Sequence, residues 1–283
     1  MENILYEKID NIVRILANRP EAGNAQHDQM LEEMDEAFKR AEADDDVKVI
    51  IFGAKGRHFC GGHDIGPLSR PNLFEVKHKG LEEWMKRERH IYLDYCFNIR
   101  NLSKPTIAQI QGLCITGGVM VAAMCDIVYA ADDALFSNPV ARYTVAGDEL
   151  MVEPWIFGAR MAKEHMWTGD PITAQEAWRL GFVNKVVSRE KLEEEVMNLA
   201  RRIAITPEAA VRLIKKSINY AVDQMGFVNA LEYHFLAHEL SHYTEEAKKL
   251  FWEPLQEAFA QKTLKGFFER LNGPYQRKNN RPT

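Results

Sequence analysis

The sequence predicts an α/β layered fold followed by a helical C-terminal subdomain, and three observations predict it. Short runs of Val and Ile alternate with longer stretches whose apolar residues recur at helical spacing. Two of the short runs lead into glycine turns, which gives the strand–loop–helix order of a layered α/β protein. From about Ser188 onward the strand signal stops and helix follows helix.

Taken in order, Ile4 to Ile9 and Ile12 to Ala17 form a hairpin around Asp10-Asn11, and Asn18-Arg19-Pro20 ends it. A polar loop with Gly23 leads to Asn24. From His27 to Ala43 a helix is set by Met30, Leu31, Met34, Ala37, Phe38 and Ala41. Asp44-Asp45-Asp46 reads as a solvated turn, and Val47 to Phe52 as a buried strand that runs into the turn Arg57 to Ile65. Pro67 to Lys79 is irregular and charged. Leu81 to Leu102 resumes a helix through Trp84, Ile91, Tyr95 and Ile99, with Lys86-Arg87-Glu88-Arg89 as its solvated face and His90 at the surface. Pro105 resets the backbone, Thr106 to Gln111 is a strand, a helix starts at Gly117-Gly118, and Asp126 to Ala130 is again a strand.

Four helices then follow, over 189–204, 207–223, 227–242 and 244–260, with apolar faces that a β-core cannot cover. The chain divides into a core over 1–200 and a helical oligomerisation subdomain over 201–283, packed on a neighbouring copy. The tail Gln276 to Thr283 is polar, basic and expected to be mobile.

Composition narrows the function. With 46% hydrophobic and 27% charged residues the chain buries a full core, and its net charge of −5 recruits neither nucleic acid nor an anionic membrane. No apolar run approaches the roughly 20 residues of a spanning helix, and the first residues carry no secretory pattern. Cys60, Cys96, Cys114 and Cys125 show no metal or CxxC spacing, which fits free thiols in a reducing cytoplasm. His234, His238 and His242 recur at i, i+4, i+8. No acid-and-histidine motif lies beside them in sequence, so no metal site is expected and a helix-face or subunit-contact role is preferred.

The chemistry lies in two turns, Gly61-Gly62-His63-Asp64-Ile65 and Gly112 to Gly118. In each, small residues free backbone N–H groups to face a ligand. At Gly117 a helix begins, so its unpaired N–H groups and positive dipole end face whatever the turn cradles. One N–H from each turn aimed at a single point makes an oxyanion hole.

With Asn18-Arg19-Pro20, Asn24-Ala25, Phe59 to Ile65, Lys104 to Ala108, Gly112 to Gly118, Cys125-Asp126-Ile127, Thr168 to Ala174, Ala177 and Gly181 to Val187, the sequence resembles the crotonase (enoyl-CoA hydratase/isomerase) superfamily over essentially its whole length. The resemblance implies a spiral of ββα turns, a homotrimer or dimer of trimers, and an acyl-CoA thioester as substrate, with no cofactor beyond its CoA. It assigns the oxyanion donors to the N–H groups of His63 and Gly117. It places CoA against Asn24, Ala25, Gln26, Gly61, His63, Asp64, Ile65 and Gly117, with Phe268 or Arg270 of a neighbouring copy near the nucleotide.

The sequence departs from the family at its acids. The two glutamates of enoyl-CoA hydratases fall on Met120 and Val140, which cannot move protons and line an acyl pocket with Tyr143 and Trp84. The nearest replacements are Asp148 and Glu149. Asp148 is placed as a helix cap, and Glu149 is preferred as the acid/base, with His63 second because Gly-His-Asp also occurs in methylmalonyl-CoA decarboxylase-like members. Phe74, Trp84 and Met85 favour an apolar or aromatic acyl chain. The expected function is an acyl-CoA lyase, isomerase or hydrolase for which two-glutamate hydration is doubtful. The alternatives are a decarboxylase of that type and a non-catalytic acyl-CoA-binding protein.

Overall fold

The apolar runs of the N-terminal segment close into the expected hairpin, β1 (Ile4–Ile9) antiparallel to β2 (Ile12–Ala17), in the computed structural model, which describes residues 1–275. The basic tail 276–283 lies outside the described residues. Strand β3 (Val49–Ala54) joins β2 in parallel, with Ile50 beside Val13. It is followed across the sheet by β4 (Thr106–Ile110), β6 (Ile127–Ala131) and β9 (Lys185–Val187), all parallel. A second sheet holds β5 (Leu113–Ile115) beside β7 (Leu135–Ser137), with β8 (Ile172–Thr173) antiparallel on the edge.

Two helical layers cover the larger sheet because every residue of β2, β3 and β4 is buried, as parallel strands require. On one face α1 (Asp28–Ala43) buries Met30, Leu31, Met34, Ala37, Phe38 and Ala41, the predicted set, against Val13, Ile15, Ile50 and Phe52. The His27 ring caps it, accepting from the Met30 N–H at 3.1 Å. On the other face Leu192, Val196, Met197 and Ala200 of α9 (Leu192–Ala204) meet Ile12, Val49, Ile51 and Ile107.

The segment after β3 is more ordered than its charge suggested. Within 67–79, α2 (Leu73–His78) forms on buried Leu73. Helix α3 (Leu81–Glu88) then runs through a π-helical segment, Arg89–Asp94, into α4 (Tyr95–Asn101). A π segment rotates the side chains that follow it, and such segments gather at functional sites. Helix α5 (Gly117–Met124) begins at the second glycine turn, and α6 (Glu153–Ile156), α7 (Ala159–Thr168) and α8 (Ala174–Arg179) lead to β9.

The C-terminal helices divide into two roles. Helices α10 (Glu208–Gln224) and α11 (Phe227–Ser241) send Phe227, Leu231 and Phe235 into the main core but leave Leu213, Ile214, Ile218, Tyr233, Leu236 and Leu240 exposed. After the short α12 (Glu245–Ala247), helices α13 (Glu253–Ala260) and α14 (Lys265–Asn272) fold back over their own chain. Phe251, Trp252, Leu255, Phe267 and Leu271 pack there with Leu73 and Trp84 as a separate apolar cluster. Among the described residues, no helix is long and apolar enough to cross a membrane.

Candidate functional site

The two glycine turns are pressed together by backbone bonds. Cys60 N–H donates to Leu113 O at 2.9 Å, and Ile115 N–H donates to Cys60 O at 3.0 Å. A Cβ on Gly118 would lie 2.7 Å from the Cys60 Cβ, and one on Gly62, whose φ is +98°, would lie 2.6 Å from Thr116 Oγ1. Both positions therefore demand glycine. Thr116, just before α5, is held at φ 48°, a costly conformation for a β-branched residue and a mark of a constrained site.

Gly117 is approached as closely. A Cβ there would run into Gln26 Oε1 and the His63 ring, whose Cδ2 would be 2.7 Å away. The His63 imidazole thus lies over Gly117. It stacks on Tyr92 of the π segment, with ring centres 4.2 Å apart.

A cavity of about 160 Å³ opens beside these turns. Gly61, Gly62, His63, Ile65 and Thr116 of the glycine turns line it, with Pro139, Val140 and Tyr143. Asp148 and Glu149 line it too, with Glu88 and Trp84 of α3, His238 of α11, His242 just past the end of α11, and Trp252, Leu255 and Phe268.

The structure brings Glu149 and His63 together, His63 Nδ1 lying 3.7 Å from Glu149 Oε1. Glu149 is buried, and burial, with the Glu88 carboxylate adding to it and His238 opposing, pushes its carboxyl up to about 7. Burial, aided by Arg70, holds His63 neutral, with its pKa down to about 3. Across the cavity, burial alone would neutralise both Glu88 and His238. Their mutual attraction outweighs it: Glu88 is held down to about 2 and His238 is raised above its ordinary value. They form a buried ion pair, with His238 Nε2 3.5 Å from Glu88 Oε2 and 3.9 Å from Glu149 Oε1.

Helix α11 also fixes the loop that carries Glu149. His238 Nδ1 bonds Gly147 O at 2.7 Å, and His234 Nε2 bonds Asp148 O at 2.8 Å. The three histidines, read as a helix-face or subunit-contact row, are all buried, His234 and His238 against this loop and His242 beside His238. The acid lacking beside them in sequence arrives from α3. Glu88, His238 and His242 place one oxygen and two ring nitrogens within 4.8 Å of one another. Glu88 is thereby removed from the solvated charge run in which the sequence placed it, being 3% exposed. Its neighbour Arg89 stays outside on Glu232, and His90 is at the surface beside Tyr95.

Other sequence candidates fall in different places. Asp148 does not cap a helix. It is fully enclosed, accepts from Asn138 Nδ2 at 3.1 Å, and shares that amide with Glu153, while α6 starts only at Glu153. Burial and the neighbouring Glu149 and Glu153 carboxylates raise its pKa well above the ordinary range. Val140, Tyr143 and Trp84 line the cavity, whereas Met120 packs in the main core. Phe268, expected to reach in from a neighbour, lines the cavity of its own chain.

Among the proposed CoA contacts, Gly61, His63 and Ile65 border the cavity, while Asn24, Ala25, Gln26, Asp64 and Gly117 do not, Thr116 bordering it in place of Gly117. Asp64 is engaged by Arg19, Ser69 and the Gly66 N–H. Asn24 is fully buried at φ 55°, where Oδ1 accepts from the Arg19 N–H and Nδ2 donates to the carbonyls of Lys55 and His58. Asn24→Ala would strand these groups and leave alanine in the left-handed region, so it is expected to cost about 3 kcal/mol of stability. Urea unfolding would contradict this role if the loss were under about 1 kcal/mol.

Comparison with known proteins follows this geometry. Residues 7–278 match the family model described as enoyl-CoA hydratase/isomerase. EchA13 of Mycobacterium tuberculosis, which carries a provisional enoyl-CoA hydratase name, is 40% identical over 85% of this chain and 81% of its own length. The crotonyl-CoA hydratase of Syntrophomonas wolfei is 33% identical over 77% of this chain and 82% of its own. Among solved structures, a probable enoyl-CoA hydratase from Mycobacterium smegmatis aligns with a TM-score of 0.80 at 42% identity, covering 86% of this chain and 95% of that one. An enoyl-CoA hydratase/isomerase from Xanthobacter autotrophicus aligns at 0.85 with 29% identity, covering 96% and 98%. The chain belongs to the enoyl-CoA hydratase/isomerase family.

Proposed function

We propose that this member of the family binds an acyl-CoA thioester with its carbonyl oxygen between the N–H groups of His63 and Gly117, and that Glu149 moves a proton on the acyl chain. The observation that carries the reading is Glu149 itself. It is a buried carboxyl, pushed up to about 7, in the same cavity as both glycine turns. A group poised near neutral pH serves as base in one step and acid in the next.

The oxyanion assignment draws support from the backbone around it. Gly62 N–H is spent on Cys60 Sγ, Asp64 N–H on Gln26 O, and Thr116 N–H on Ser137 O. The two N–H groups between these committed neighbours are the ones assigned to the thioester. Donors fixed in advance stabilise an enolate oxygen without reorganising as charge develops, worth about 3–4 kcal/mol per donor in comparable sites.

In this mechanism ionised Glu149 removes a proton α to the thioester and returns it elsewhere on the chain or to a leaving group. His63 stays neutral, as its burial dictates, with Nδ1 3.7 Å from Glu149 Oε1. Water addition in the two-glutamate manner is not assigned, because Val140 on the cavity wall and Met120 in the core carry no proton. Turnover of an enoyl-, oxoacyl- and malonyl-type thioester panel tests the reading, and absence of CoA-ester binding would overturn it.

A homotrimer or dimer of trimers is the assembly proposed with this function, in a reducing cytoplasmic setting consistent with four free buried thiols. The exposed row of Leu213, Ile214, Ile218, Tyr233, Leu236 and Leu240 supports it, since so many large apolar side chains on one helix pair mark an interface. Light scattering should give a multiple of the chain mass, and Ile218→Glu should shift it toward the monomer. A wild-type monomer at micromolar concentration would contradict the assembly.

A further inference from the structure

The cavity wall holds more buried polar groups than it satisfies. Buried without a hydrogen-bond partner among the described residues are Trp84 Nε1, Glu88 Oε2, Glu149 Oε2, His63 Nε2 and His242 Nδ1. All five residues line the one cavity. An aliphatic or aromatic acyl chain, which the sequence favoured, would leave every one of them unpaired. Unpaired buried polar atoms are uncommon and costly, so their concentration at one cavity points to a polar ligand group that completes them.

We propose that this wall is a subsite for an uncharged oxygen, a ketone or a hydroxyl, on the acyl chain of the substrate, an inference that rests on the acyl-CoA reading above. The donor set selects the class. Trp84 Nε1–H donates and Glu88 Oε2 accepts, which a hydroxyl satisfies in both senses and a ketone satisfies in the first. Glu149 in its protonated form offers a ketone a second donor, its O–H. A carboxylate would face Glu88 and Glu149, and an ammonium would face His238 and the nearby Lys77.

His238 is not itself free. Its Nδ1 is bonded to Gly147 O, and its Nε2 lies 3.1 Å from His242 Nε2. The carboxylate oxygens of Glu88 and Glu149, at 3.5 and 3.9 Å from that Nε2, lie beyond ordinary N–H···O length.

The Glu88–His238–His242 triangle also has the dimensions of a cation site. Two features weigh against one. His242 Nδ1 lacks the second acceptor that orients a metal-bound histidine. The Lys77 ammonium lies over the adjoining rings of Tyr243 at 3.6 Å and Trp252 at 4.3 Å, and bonds the His242 carbonyl, so positive charge is already there.

The test is calorimetry on Glu149→Gln, which prevents turnover, with hexanoyl-CoA, 3-oxohexanoyl-CoA, 5-oxohexanoyl-CoA and 5-hydroxyhexanoyl-CoA. At least one oxygenated ester should bind about tenfold or more tightly than hexanoyl-CoA. Adding Trp84→Phe, which deletes the donor that a ketone and a hydroxyl would both use, should cut that preference below about threefold, and a melting curve checks the fold. Equal affinity for all four esters overturns the subsite but leaves the thioester reading intact, whereas no binding of any ester overturns both. A preference that survives Trp84→Phe removes it from this wall. A preference lost on chelator treatment and restored by zinc would show the oxygen reading a cation, and would also overturn the direct contact.

Discussion

Glu149→Gln is expected to lower turnover of the preferred acyl-CoA by roughly 10²-fold or more, the scale of general acid–base catalysis, while leaving CoA-ester binding in place. The same variant should be more stable than the wild type at pH 8 and equal to it near pH 4. Unfolded, this carboxyl ionises around 4.5, and folded it does so at about 7. Below both values each state holds the proton, and stability is unaffected. As pH rises through the unfolded value only the unfolded chain gains by ionising, so wild-type stability falls until about pH 7 and is flat above it. Glutamine removes that loss, a gain of about 3 kcal/mol at most. Kinetics and thermal melts at two pH values therefore test one residue twice, once for chemistry and once for the electrostatic cost. A variant that loses activity without gaining stability at pH 8 would mean that folding does not raise the pKa of Glu149. Brisk crotonyl-CoA hydration surviving Glu149→Gln would move the proton chemistry elsewhere, to His63 first.

The parts of this site that sequence made legible are those encoded locally. The β1–β2 hairpin, α1 and the glycine turns each announce themselves within a few residues, because period and backbone freedom are local properties. Glu149 was reachable because it follows Gly147 in a loop of the expected region. Glu88 was hidden by its company, since Lys86, Arg87 and Arg89 made the stretch read as a solvated face. Yet Glu88 lies four residues after Trp84 and three before Ile91, on the buried stripe of α3, and that spacing was the signal that could have found it. No spacing rule could have joined it to His238 and His242. That contact is made by α11 closing across α3, and depends on the C-terminal helices folding back over their own chain. Asp148 was misplaced for a related reason: an acid after glycine reads as a cap, but the loop runs on to Glu153 before a helix begins.

Gly117 offers the sharpest test of the oxyanion assignment, because side chain and backbone can be separated there. Gly117→Ala keeps the N–H but sets a Cβ into Gln26 and the His63 ring, so it should lose activity by displacing the imidazole from Tyr92 and Glu149. Gly117→Pro adds the same Cβ and removes the N–H as well. Position 117 is the first residue of α5, where proline is best tolerated in a helix, although Thr116 at positive φ makes a melting curve necessary. Turnover by Gly117→Pro should fall roughly 10²-fold or more below Gly117→Ala, the cost of one oxyanion donor. A readout independent of turnover is the infrared carbonyl band of a bound ¹³C-labelled thioester, which two donors should draw to lower frequency. His63→Ala retains both backbone donors and should keep that displacement, whereas Gly117→Pro should lose about half of it. Equal bands in Gly117→Pro and the wild type, with the ester bound, would show that the carbonyl oxygen lies elsewhere in the cavity.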